Sequence, residues 1–159
     1  MNNIDVVEPF VRSARNVIES ITGDTPGTDE PMERKSSFTT QQVTIIAGVS
    51  GDVAGSVMYG MSLATAQSFA GAMMGAEVEE LDEMALSAVS ELGNMITGGA
   101  SALVCEYGID VDITPPSVIK GTDIKILTRS CAQVVPINTN AGYFEMTVAI
   151  GENPLRKAA

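Results

Sequence analysis

Ser87-Ala88-Val89-Ser90-Glu91-Leu92-Gly93-Asn94 is the stretch on which the reading of this chain turns. Val89 and Leu92, continued by Ile96, Ala100 and Leu103, recur at helical spacing and mark a core-facing side. Ser87, Glu91 and Asn94 stand at i, i+4 and i+7 and so share another face of the same helix. At about 100° per residue, Gly98 falls on that face too. Asp82 supplies an N-cap and Gly108 a stop, so the spacing predicts a long helix ending near Tyr107. It would present a carboxylate and a carboxamide side by side, pointing away from its core face. Such a pair can hold a cation and orient a water.

Upstream of this helix, residues from about 3 to 22 read as a first helix, with Val7, Phe10, Val11, Ala14, Val17, Ile18 and Ile21 as its apolar stripe. Pro9 is tolerable only in the first turn, and Gly23 ends the helix. The segment 23–35, with Pro26, Gly27 and Pro31, reads as a mobile linker. From about 37 to 47 polar and apolar residues alternate as in a strand, Ser50-Gly51-Asp52 makes a turn, and Val53 to Met61 is the antiparallel return. Ser62 can cap a short helix over 63–74, broken at Gly75.

The acidic run from Glu77 to Asp82 reads as a solvated loop and helix cap, because it lacks the ligand spacing of a calcium loop. Downstream of the long helix, Pro115-Pro116 forbids helix and interior strand. Two strands are predicted at about 123–136 and 142–150, joined through Asn138 to Gly142, and the tail 153–159 reads as frayed. Those two strands would leave a free edge able to pair with a second copy, so a homodimer is expected.

A chain of 159 residues with 45% hydrophobic and 18% charged residues is a folded single domain. Its net charge of −11 excludes a nucleic-acid footprint and disfavours an anionic membrane surface. The absence of histidine excludes Ser-His-Asp and Cys-His catalysis, a phosphohistidine relay and His-ligated zinc. No window is long and apolar enough for a membrane span, and Met1 to Asp5 lack the character of a signal peptide, so a cytoplasmic location is expected. Cys105 and Cys131 show no CxxC spacing and read as two buried free thiols of a reducing compartment.

The pattern Ser87-xxx-Glu91-xx-Asn94, with Pro115 and Pro116 downstream, resembles the signature of the CheC/CheX/FliY family of chemotaxis phosphatases, which dephosphorylate the response regulator CheY. The likeness spans most of the chain: Glu8-Pro9-Phe10 in the opening helix, the central Glu-Leu-Gly-Asn helix, Pro115 to Gly121, and Gly142-Tyr143-Phe144-Glu145-Met146. CheC-like members carry two complete motifs and CheX-like members one, and this chain has one. The fold implied is α+β, an antiparallel sheet packed with helices in two pseudo-repeated halves. Asn16-Val17-Ile18 can be laid over Asn94-Met95-Ile96, each with a Thr-Gly shortly after, which puts Ser13 in the place of Glu91.

The resemblance implies a substrate, an acyl phosphate on an aspartate of a CheY-like response regulator that brings its own Mg²⁺ and lysine. Asn94 would hold a water in line with phosphorus, and Glu91 would pair with that lysine and set the register. Ser87 could add a hydrogen bond, Gly98 could admit a partner backbone, and Met95 with Ala102 could form an apolar rim. No cofactor or metal would be bound by this chain itself. The competing reading is a non-catalytic module that binds receiver domains to sequester or sense them; the intact Glu91–Asn94 pair favours the phosphatase.

Overall fold

Local signals start and stop the helices where the sequence places them. In the computed structural model, which describes residues 5–129 and 131–157, α1 (Val7–Thr22) ends as Gly23 turns left-handed with φ of 81° and donates to Glu19 O. The chain continues through β1 (Gly27–Thr28), β2 (Met32–Arg34), β3 (Ser37–Thr39), β4 (Val43–Gly51) and β5 (Val53–Met61). Ser62 Oγ accepts from Thr65 N to cap α2 (Leu63–Met74), and Gly75 closes it with φ of 68°. Asp82 caps α3 (Glu83–Glu106). Then follow β6 (Val111–Ile113), β7 (Ser117–Lys120), β8 (Lys125–Leu127), β9 (Ala132–Thr139), β10 (Gly142–Glu152) and the single turn α4 (Pro154–Lys157).

The element order repeats. A helix, three short strands, a long hairpin and a second helix occur as α1, β1–β3, β4–β5, α2 and again as α3, β6–β8, β9–β10, α4. The main sheet runs β1-β9-β10-β5-β4-β6, with β2 also on β9 and β7 also on β4. Its centre is the antiparallel β10–β5 pair, from Phe144↔Met61 to Glu152↔Val53. Each half lends its first two short strands to the other half's hairpin, while β3 and β8 pair with each other in a separate ribbon. The pseudo-repeat of the α+β fold is thus an interlocked one.

Helices α1, α2 and α3 cover one face of the sheet, and their apolar stripes join Val43, Ile45, Val57, Tyr59, Phe144 and Met146 in the main core. The β3–β8 ribbon covers part of the other face, where Phe38 and Ile126 pack on Met58, Ala132 and Ala149. Arg34 ties ribbon to sheet: its guanidinium lies 4.5 Å from the Phe38 ring centroid, and Nη2 donates to Glu145 Oε2 at 2.6 Å.

Several expectations are corrected. Segment 23–35 is no bare linker, because β1 and β2 within it pair with β9; Pro26 and Pro31 are tolerated because they flank the strands. The strand expected over 37–47 divides at residues 40–42, where the chain passes from ribbon to main sheet, and the one expected over 123–136 divides in the same way into β8 and β9. The joint expected through Asn138 to Gly142 shrinks to Asn140-Ala141, with Thr139↔Gly142 already paired. Among the described residues the expected free edge is filled: β9 lies between β10 and β1–β2, and β10 lies between β5 and β9 over residues 144–148. In the tail, Asn153 Oδ1 accepts from Leu155 N, Pro154 opens a helical turn, and Arg156 bridges Asp52 and Asp110; residues 158 and 159 lie outside the described residues. Cys105 and Cys131 are free but exposed rather than buried.

A candidate functional groove on α3

Asp82 Oδ1 accepts from Ala85 N at 2.8 Å and starts the helix. Ala85, Val89, Leu92, Gly93, Ile96, Thr97, Ala100 and Val104 form its buried face. Over this length the 3.6-residue period drifts past Leu103, so Val104 is buried in its stead. Gly93 lets the backbone rest on the sheet: a Cβ there would lie 2.6 Å from Ile45 Cγ2. Beneath it runs a buried hydrogen-bond chain. Thr97 Oγ1 donates to Gly93 O at 2.7 Å, so the Tyr59 phenol, 2.7 Å from Thr97 Oγ1, must donate to that hydroxyl. On the other flank Ser13 Oγ donates to Ile96 O at 2.6 Å and locks α1 to α3.

With that face held, Ser87 and Glu91 are exposed and Asn94 is half-buried. Together with Ser90 they form one side of an open groove of about 450 Å³; Ile113, Thr114, Pro115 and Pro116 form the other. The structure therefore brings together Ser87, Glu91 and Asn94 as the helical spacing predicts. Neither the Glu91 carboxylate nor the Asn94 carboxamide has a hydrogen-bond or ion-pair partner among the described residues. Among the described residues no three His, Cys, Asp or Glu side chains gather as a metal-binding group. The chemistry on offer is hydrogen bonding and positioning from a rigid helix beside one negative charge.

Gly98 is elsewhere. It faces β6, where an added Cβ would sit 3.9 Å from Ile113 Cδ1, and it does not line the groove. Met95, 37% exposed, and the exposed Ala102 lie on the outer surface of α3 beyond the groove lining. Sequence reasoning missed Ser90, Ile113 and Thr114, and it treated the two prolines as strand breakers and a family mark. Their signal was the Pro-Pro pair itself, a stiff segment that must go somewhere other than a ladder. In the first half, Asn16 is exposed on α1, but Ser13 is buried against α3, so the face equivalent to the groove is consumed by helix packing.

This geometry agrees with comparisons to known proteins. A family described as "Chemotaxis phosphatase CheX" matches residues 43–139. The "CheY-P phosphatase CheX" of Thermotoga maritima is 35% identical over 134 residues, covering 84% of this chain and 86% of that protein. Among solved structures, the chemotaxis protein CheX of Desulfovibrio desulfuricans superposes with a TM-score of 0.82 at 27% identity, over 94% of this chain and 100% of the other. CheX in a CheX–CheY–BeF3–Mg²⁺ complex from Borrelia burgdorferi superposes with a TM-score of 0.77 at 26% identity, over 94% and 100%. The matched residues include both walls of the groove, and the chain belongs to the CheX family of chemotaxis phosphatases.

Proposed function

We propose that this protein is a hydrolase that removes the phosphoryl group from the aspartate of a CheY-type response regulator. The observation that carries the reading is the unpartnered Glu91–Asn94 pair on one wall of the α3 groove, in a chain of the CheX family. The phosphorylated regulator carries its own Mg²⁺ and lysine, which neutralise the phosphoryl oxygens, so the missing part is a positioned nucleophile. Asn94 reaches into the regulator's site and holds a water in line with phosphorus. The water oxygen bonds to phosphorus as the bond to the aspartyl oxygen breaks, giving inorganic phosphate and a free carboxylate. Glu91, one turn away at i−3, pairs with the regulator's lysine and fixes how deeply Asn94 enters. A loose transition state asks for little deprotonation of the water, so a chain without histidine is not handicapped.

Such a partner places the protein in the cytoplasm; no helix among the described residues is long and apolar enough to cross a membrane. The protein also acts as a homodimer in this proposal, with contact through the open β3–β8 ribbon, whose Leu127 is 79% exposed. Light scattering on the purified chain tests the dimer. The enzymatic reading is tested by phosphate release from a Mg²⁺-loaded, phosphorylated CheY-type domain. Wild type should accelerate release, and Asn94→Ala should lose about a hundredfold while still binding, the usual scale for losing precise placement of a reactant. Binding without acceleration by wild type would leave a receiver-binding module.

A further inference from the structure

Opposite α3, the wall of the groove is a break in the sheet. Strand β6 pairs with β4 up to Val49↔Ile113, and β7 resumes at Ile46↔Ser117. Only Ala47 and Gly48 of β4 lie between these pairs, whereas Thr114, Pro115 and Pro116 lie between them on the other side. The extra residue is a β-bulge, and Pro115 and Pro116 have no N–H with which to rejoin the ladder. They are turned out toward Ser87, Glu91 and Asn94 instead.

The bulge has a fixed base. Thr114 N donates to Gly48 O at 3.0 Å, and Gly48 N donates to Thr114 Oγ1 at 2.8 Å. The Thr114 side chain therefore accepts the bond that a ladder carbonyl would have taken. Gly48 is also the residue that lets the two strands come this close, since a Cβ there would meet Thr114 Oγ1 at 2.9 Å and Cγ2 at 3.3 Å.

We infer that the Thr114–Pro116 bulge is the second jaw of the docking groove and that Thr114 is the positioning residue that sets its distance from α3. The inference rests on the reading that the groove receives a phosphorylated receiver domain. Two stiff prolines on one side and a rigid helix on the other leave a gap of fixed width, which a receiver must match in order to dock. The jaw acts on docking, and Asn94 acts on turnover.

The test measures kcat and KM for phosphate release, and the Kd for a beryllofluoride-activated CheY-type domain, in Thr114→Val, Thr114→Ser and Asn94→Ala. Thr114→Val keeps the shape and removes the acceptor; KM and Kd should rise about fivefold, as for one lost hydrogen bond, with kcat at saturation largely kept. Thr114→Ser restores the acceptor and should return both to wild-type values. Asn94→Ala should show the reverse, with turnover lost and Kd kept. A folded Thr114→Val variant that binds as wild type overturns the proposal, and so does a Thr114→Ser variant as weak as Thr114→Val. Should Thr114→Val lose its thermal transition, Pro115→Gly decides: it loosens the jaw without touching the Gly48 contacts, so weakened Kd supports the proposal and unchanged Kd overturns it. A wild type that binds without hydrolysing refutes the phosphatase reading alone, because the Kd values still judge the jaw. A wild type that binds no receiver domain refutes both.

Discussion

A Cβ placed on Gly93 would lie 2.6 Å from Cγ2 of Ile45, so the glycine between Glu91 and Asn94 is where α3 touches β4. That contact fixes the roll of the helix: with Gly93 inward, Glu91 and Asn94 are carried to the groove on either side of it. Gly93→Ala forces Ile45, which is fully buried, to move. Overpacking of this kind costs about 1–3 kcal/mol, and the better helix propensity of alanine offsets about 1 kcal/mol of it. The net effect should be a lower melting temperature by a few degrees. A thermal melt equal to or above wild type would show that α3 can slide off β4 without penalty.

The local parts of this molecule could be read in the sequence, and the pairings between distant segments could not. Asp82, Gly108 and the spacing of Glu91 and Asn94 are cap and period signals carried within one helix, and they placed α3 and its outward pair correctly. Strands β1, β2, β6 and β7 span only two to four residues each, too short to show a period of two; they exist because β9 and β4 offer them a ladder. Gly98 was assigned to the functional face by helical angle alone, but β6 folds back over that position, and nothing in the α3 sequence reports where β6 will lie. The Pro115-Pro116 wall is likewise a product of register, one residue of mismatch against Ala47 and Gly48.

The buried chain from Tyr59 through Thr97 to Gly93 O makes an ordered pair of predictions. Tyr59→Phe removes one donor and leaves Thr97 bonded to Gly93, at about 0.5–1.5 kcal/mol. Thr97→Val strands a fully buried phenol and should cost more, about 1–3 kcal/mol. Urea unfolding checks the order; equal costs would mean that Tyr59 finds another partner. Burial pushes the Tyr59 phenol well above its ordinary value. The folded state thus favours the neutral phenol. That stability is complete below about pH 10 and is lost above it, where the unfolded chain ionises first, by about 1.4 kcal/mol per pH unit. Tyr59→Phe should flatten the alkaline fall and leave the slope below pH 9 unchanged.

Glu91 is exposed and has no hydrogen-bond or ion-pair partner among the described residues, so Glu91→Gln should leave the melting temperature within experimental error. If its charge meets a lysine on the receiver domain, the same variant should bind about tenfold more weakly at low salt. Wild-type affinity should fall as salt is raised, and that of Glu91→Gln should fall less steeply. Parallel salt dependences for the two proteins would remove Glu91 from the docking contact and leave its charge without a role in register.

Tyr143 offers a test on the opposite face of the sheet. Its phenol is pushed up to about 12, first by burial and then by Glu145, whose Oε1 accepts the phenol proton at 3.0 Å and whose negative charge opposes ionisation. Arg34 pulls the other way, but its guanidinium is spent on Glu145 Oε2. Glu145→Gln keeps a carbonyl acceptor, deletes the charge and leaves the Arg34 cation without its counter-ion. Both changes favour tyrosinate, so the Tyr143 midpoint should fall from about 12 toward the ordinary range. An alkaline titration of tyrosinate absorbance, with Tyr143→Phe to assign the step, measures it. Replacing Arg34 with methionine should move the same step upward, since it removes a positive charge that lowers it. A midpoint unmoved by Glu145→Gln would mean that burial and the Asp29 charge hold the phenol neutral without Glu145, and that the Arg34–Glu145 pair serves only to pin the β3–β8 ribbon to the sheet.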